Sequence, residues 1–135
     1  MPDKLSFSKT FQALERTIGL SQKRHVHIAG NISNIDTPGY KAKDIDFKAA
    51  LNRVLESGQE IDLARTNPGH IDLERNGAAG VEAIEEKGEW NGYNWLNIDR
   101  EMTKLTQNNL IYRTSVETLL RKMAILREVI SQGGR

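Results

Sequence analysis

The chain contains no cysteine, which removes disulfides, thiolate metal sites and thiol nucleophiles together. Aromatic residues make up only 6% of it, with two tryptophans. Its unbroken apolar runs are a few residues long, far short of the roughly 20 that a membrane-spanning helix needs. The opening segment MPDKLSFSKTFQALERTIGL has no apolar core ahead of a small-residue cleavage site, so the general secretory route is not expected. A dedicated export apparatus would leave no such mark. Nor is there a Gly-x-Ser-x-Gly elbow, a phosphate loop or a dinucleotide fingerprint, and the chain is not expected to be an enzyme. Its 135 residues suffice for one modest domain.

Single residues with chemical potential read blandly. His25 and His27 stand two apart in a helical pattern and point to different faces, so they cannot clasp one ion. His70 follows a turn without a clearly paired carboxylate. No metal and no cofactor is expected. Asp36, Asp44 and Asp46 read as solvated acids of a turn and strand and not as an acid–base pair. Trp90, Tyr93 and Trp95 surround Gly92 as a hairpin core or protein contact, which argues against a small-molecule substrate. The basic residues form no stripe with interleaved aromatics, and nucleic acid is not an expected partner.

Charge is distributed unevenly. Residues 1–35 hold five basic against two acidic side chains, residues 36–97 seven against twelve, and residues 98–135 seven against four. The two ends share a character that the middle lacks. They also share a period. Ile98, Met102, Leu105, Asn109, Tyr112, Val116, Leu119, Met123, Leu126 and Ile130 recur at alternating spacings of four and three, the seam of a coiled-coil helix. Phe7, Phe11, Leu14, Ile18, Ser21, His25, Ile28, Ile32 and Ile35 repeat the alternation near the N-terminus. Gly19 and Gly30 weaken that second helix by about 1 kcal/mol each, and Pro38 is expected to close it.

The middle changes pattern. Phe47, Ala50, Leu51, Val54 and Leu55 predict a short helix ending near Ser57-Gly58. Residues 61–65, 71–74 and 81–85 alternate as strands around the turns Asn67-Pro68-Gly69 and Asn76-Gly77. The predicted fold is mainly α: long N- and C-terminal helices paired as an antiparallel coiled coil, with a small irregular β-containing insertion. Residues 1–37 with 98–135 form the helical unit, and residues 38–97 the insertion. Leu110, Ile111, Leu120, Ala124 and Ile125 lie outside the seam of the last helix and would stay wet in a single copy. Such apolar faces mark association surfaces. A structural subunit and a soluble coiled-coil adaptor or export chaperone both fit that description.

Asn31-Ile32-Ser33-Asn34-Ile35-Asp36-Thr37-Pro38-Gly39-Tyr40-Lys41 resembles the N-terminal signature of the flagellar rod, hook and hook-cap axial family. Its marked positions are Asn31, Asn34, Thr37, Pro38, Gly39, Tyr40 and Lys41. Ala42–Phe47, Thr66–Ile71, Asn97–Leu105 and Asn108–Tyr112 are similar to the short proximal rod members in particular. Trp90–Leu96 departs from that group's simpler Gly-Asn-Asn-Val approach. The resemblance implies a self-assembling subunit of the proximal rod that links the membrane ring and export gate to the distal rod and transmits torque. It implies export from the cytoplasm through the flagellum-specific type III apparatus, without a cleaved signal peptide, to the periplasmic rod. Implied partners are further copies of the chain, rod proteins of the FlgC type, the adaptor FliE, and the export gate with its membrane ring. The assembly seam would then comprise Phe11, Leu14, Ile18, Ile28 and Ile32 with Met102, Leu105, Asn109, Tyr112, Val116, Leu119, Met123 and Leu126.

Overall fold

The structure is a computed structural model that describes residues 4–56 and 81–133. The expected strands at 61–65 and 71–74, their turns and His70 lie outside the described residues.

Two long helices dominate. Helix α1 spans Lys4–Ser33 and helix α3 spans Ile98–Gln132, roughly 45 and 52 Å at 1.5 Å per residue. They run antiparallel. Asn31 meets Glu101 near one end, Asn108 donates to the Ser21 carbonyl midway, and Lys122 lies over the Phe7 ring at the other. Asn97 caps α3 by accepting from the Arg100 amide, and Asp99 and Glu101 place acid in its first turn, where the helix dipole favours it.

Helix α1 stops at Ser33, ahead of the stop expected at Pro38, because Asn34 ends it locally. The Asn34 side chain donates to the Gly30 carbonyl at 2.8 Å, and its backbone amide bonds the same oxygen. Ile35, assigned to the helical seam, therefore sits in the turn that follows. Helix α2 spans Phe47–Glu56, in agreement with the expected short helix. The carboxylate of Asp46 starts it by accepting from the Ala49 amide.

The β content is small. Strand β1, Lys43–Asp44, pairs antiparallel with β2, Ile84–Glu85, with Lys43 opposite Glu85. Of the strand expected at 81–85 only the last two residues pair. Val81 and Ala83 still turn inward, against a cluster of Leu20, Ile45 and Ala50 that Phe47 and Leu51 complete.

Among the described residues, six apolar side chains are buried against eight polar or charged ones. Burying a Leu or Ile supplies about 2 kcal/mol, so this apolar core is thin for two helices of such length. Most of the apolar mass of α3 is on its surface. Leu110, Leu120, Ile125, Val129 and Ile130 are all more than half exposed.

Candidate functional site

At the end of the helix pair where α1 stops and α3 begins, a polar node replaces an apolar core. Its centre is Asn31, fully buried on the last turns of α1. The Asn31 amide donates to the Lys43 carbonyl and to Glu101 Oε2, both at 2.8 Å. Its Oδ1 accepts from the Lys43 amide at 3.0 Å and from the Tyr40 hydroxyl at 3.2 Å. An asparagine has two donors and two acceptor lone pairs, so every position on this side chain is used. One residue thus joins α1, β1 and α3.

Charge surrounds it. Lys104 donates to Glu101 Oε1 at 2.8 Å and to Glu86 Oε2, and its ammonium lies 3.6 Å from Asp44 Oδ2. Arg24 grips Asp44 with Nε and Nη2, both at 2.8 Å, one on each oxygen. Arg100 approaches Glu86 at 3.7 Å. Three acids face three bases, so each buried charge of the node has an opposite partner.

Titration follows from the geometry. Burial opposes the charge on Asp44, but the Arg24 hydrogen bond and charge outweigh it, aided by the Ile45 amide and Lys104. The Asp44 carboxyl is held below the ordinary aspartate range. Burial likewise opposes the Lys104 ammonium, and the hydrogen bonds and charges of Glu101 and Glu86 overcome it, raising its affinity for the proton. Arg24 is held still more firmly protonated, chiefly by its hydrogen bond to Asp44. Asp44, expected to be solvated, is buried.

A clasp encloses the turn beyond α1. Thr37-Pro38-Gly39-Tyr40 closes with the Tyr40 amide on the Thr37 carbonyl at 3.3 Å. Gly39 has φ of 69°, so Pro at the second and Gly at the third position match a type II turn. The segment from Gly88 to Leu96 wraps around it. Tyr93 accepts from the Gly39 amide, and its hydroxyl donates to the Asp36 carbonyl at 2.8 Å. Asn94, buried, donates to the Ile35 carbonyl at 2.6 Å. Trp95 donates from its backbone to Tyr40, and its ring packs on Trp90 with centroids 4.4 Å apart and on the Lys41 ammonium. Lys41 also pairs with Glu85 at 3.3 Å.

Comparison with known proteins identifies relatives along nearly the whole chain. No protein-family model matches the chain. The flagellar basal body rod protein FlgB of Bacillus subtilis is 32% identical over 133 residues, covering 94% of this chain and 97% of its own. FlgB of Escherichia coli is 31% identical over 140 residues, covering 98% and 99%. FlgB of Salmonella typhimurium is 31% identical over 141 residues, covering 99% of each.

The chain belongs to the FlgB family of flagellar basal body rod proteins.

In this FlgB-family chain the signature residues come together in one place. Asn31 forms the node, Asn34 caps α1 and receives the Thr37 hydroxyl at 3.2 Å, and Pro38 and Gly39 shape the turn. Tyr40 and Lys41 carry the turn to Asn31 and Trp95. The long seam is distributed differently. Ile28 is buried, and Phe11, Leu14, Ile18, Ile32, Leu105, Val116 and Leu119 are half-buried. Met102, Asn109, Tyr112, Met123 and Leu126 are exposed. Toward α1, helix α3 turns the adjacent stripe, with Glu101, Lys104, Asn108 and Ser115 buried. His25, read as a polar seam residue, is exposed.

Sequence reasoning does not single out Arg24, Glu86, Asn94, Glu101, Lys104 or Asn108. A signal was present: positions 101, 104, 108, 111 and 115 repeat the spacing of three and four, one residue behind the apolar stripe. Among the described residues no group of three metal-ligating side chains is placed to hold an ion, and no helix is long and apolar enough to cross a membrane.

Proposed function

We propose that this chain is a subunit of the proximal part of the flagellar rod, docked to its neighbours through the apolar stripe of α3. It is a structural protein of the basal body rod and assembles with other basal body components. The observation that carries the finer reading is how the surface of α3 is sorted. A polar stripe is turned to α1 within the chain, and the apolar stripe at Met102, Tyr112, Met123 and Leu126 is turned to solvent. A helix so arranged has its hydrophobic contact with another molecule still to make.

The helical unit, residues 1–37 with 98–135, forms the axial body and residues 38–97 the insertion carried on it. Phe11, Leu14, Ile18, Ile28 and Ile32 of α1 complete the assembly seam. Neighbouring subunits are further copies of the chain and rod proteins of the FlgC type, with FliE and the export gate and membrane ring at the base. The chain reaches the periplasm through the flagellum-specific export apparatus without a cleaved signal peptide, and the packed helices pass torque to the distal rod.

Quantitative mass spectrometry of purified basal bodies tests this. A fixed small number of copies per rod, retained after the filament is removed, is the expected result. A protein found only in the cytoplasm as a discrete dimer would instead identify an adaptor or chaperone.

A further inference from the structure

We infer that the groove beside Trp90, at the start of α3, is a socket for the C-terminal end of α3 of a second copy of this chain. The inference deepens the rod reading and rests on it.

The groove holds about 530 Å³; Trp90, Trp95, Leu96 and Ile98 give it apolar surface, and four acidic side chains line it against the two basic ones of Lys87 and Arg100. Trp90 is 53% exposed despite its ring contact with Trp95. The segment that builds this end, residues 81–101, carries six acidic against two basic side chains. Among the described residues, Glu89 and Asp99 make no ion pair, whereas Arg100 is turned toward Glu86. The site therefore combines exposed aromatic surface with an excess of acid.

The opposite end of the molecule has the complementary character. Residues 118–133 carry three basic side chains against one acidic. From Met123 to Gly133 every residue is exposed. Val129 and Ile130 are 62% and 73% exposed, and Arg127 stands one turn before Ile130 on the same helix.

One copy cannot bring the two together. The antiparallel pairing puts the groove at the Asn31–Glu101 end and the tail beyond Phe7–Lys122. Asp99 and Val129 are separated by about 45 Å of continuous helix. The contact must join two molecules head to tail, and such a heterologous contact propagates where it does not close.

The absence of cysteine makes disulfide trapping a clean test. Glu89→Cys in one copy and Val129→Cys in another are mixed under mild oxidation. The mixed disulfide should form about tenfold faster than that between Glu89→Cys and Val26→Cys, because docking raises the local thiol concentration. Asp99→Lys in the first copy, or Arg127→Glu in the second, should each slow the trapping by about tenfold, and the two together should restore it. All these positions are exposed, and circular dichroism verifies that each variant keeps its helices. Trapping no faster than the control would overturn the inference, as would paired reversals that fail to restore it. Trapping at the control rate, with the chain present in basal bodies, removes the socket and leaves the rod reading standing. Absence from basal bodies removes the rod reading itself.

Discussion

Asn31 and Glu101 stand 70 positions apart in the chain and share a buried 2.8 Å hydrogen bond, amide to carboxylate. That bond ties the end of the N-terminal helix to the start of the C-terminal one. Glu101 spends its other oxygen on Lys104, so a change at Asn31 is felt throughout the node.

Replacing Asn31 with aspartate keeps the shape and reverses the chemistry. Asn31→Asp would set a carboxylate against Glu101 and remove a donor from the Lys43 carbonyl. The expected loss is about 3 kcal/mol or more, the range for breaking a buried charged network, read as a lower urea midpoint. Asn31→Ala should cost less, about 2 kcal/mol, since it leaves unpaired groups but adds no repulsion.

Acid should loosen the same node through Asp44. Its folded carboxyl titrates below the ordinary aspartate value of about 3.9, because Arg24 and its other partners outweigh the effect of burial. The stability it contributes is present in full above that value and is lost as pH falls through the lower folded one. Unfolding free energy from urea titrations should be nearly flat from neutral pH to about 5 and fall below about 4. Asp44→Asn should lower stability at neutral pH and flatten the acid limb.

Alkali acts through Lys104, whose proton affinity is raised in the fold. Its contribution is present below the ordinary lysine value of about 10.4 and is lost as pH climbs through the higher folded one. Lys104→Met should remove this loss at high pH while destabilising the protein at neutral pH, because Glu86 and Glu101 lose their shared partner. Thermal melts at pH 7 and pH 11 separate the two effects.

Glycine 88 is a spacing requirement. A Cβ placed there would lie 2.3 Å from the Trp95 carbonyl oxygen, inside any tolerable contact. Gly88→Ala should therefore displace the clasp and cost about 2 kcal/mol, within the range for overpacking. Gly39→Ala meets open space but keeps a φ of 69°, and about 1–2 kcal/mol of backbone strain is expected. The order of the two melting temperatures is the check.

A charge on the outer stripe should spare folding and stop assembly. Met123 is 47% exposed, so Met123→Asp should leave helicity and melting temperature close to the parent while swimming in soft agar is lost. Leu119→Asp should also abolish motility, with some loss of stability, because Leu119 is half-buried. Normal swimming by the Met123 variant would remove the stripe from the assembly surface.

The sequence made the helices legible because their period survives for several turns without tertiary help. Helix α2 was readable from its apolar spacing, and the signature turn from Pro38 and Gly39. The end of α1 was misplaced because capping by Asn34 is a side-chain effect that a proline rule overlooks. The inward face of α3 was hidden for a deeper reason. Hydrophobicity assigns Met102, Tyr112 and Met123 to the interior, but among the described residues nothing covers them, and Glu101, Lys104 and Asn108 occupy the contact with α1. Asp44 looked solvated because its partners, Arg24 and Lys104, come from other elements. Period reveals which residues share a stripe, and only the assembled elements show what each stripe faces.

Among the described residues, the buried ones are confined to one part of the hairpin. On α1 no side chain from Phe7 to Ile18 is fully buried, and on α3 none beyond Ser115 is. The molecule is thus built like a clothes peg, sprung tight at the Asn31 end and lightly closed at the jaws. Burial among the described residues is graded along its length. Splaying the far ends of α1 and α3 would therefore break few buried contacts and leave the Asn31 node intact.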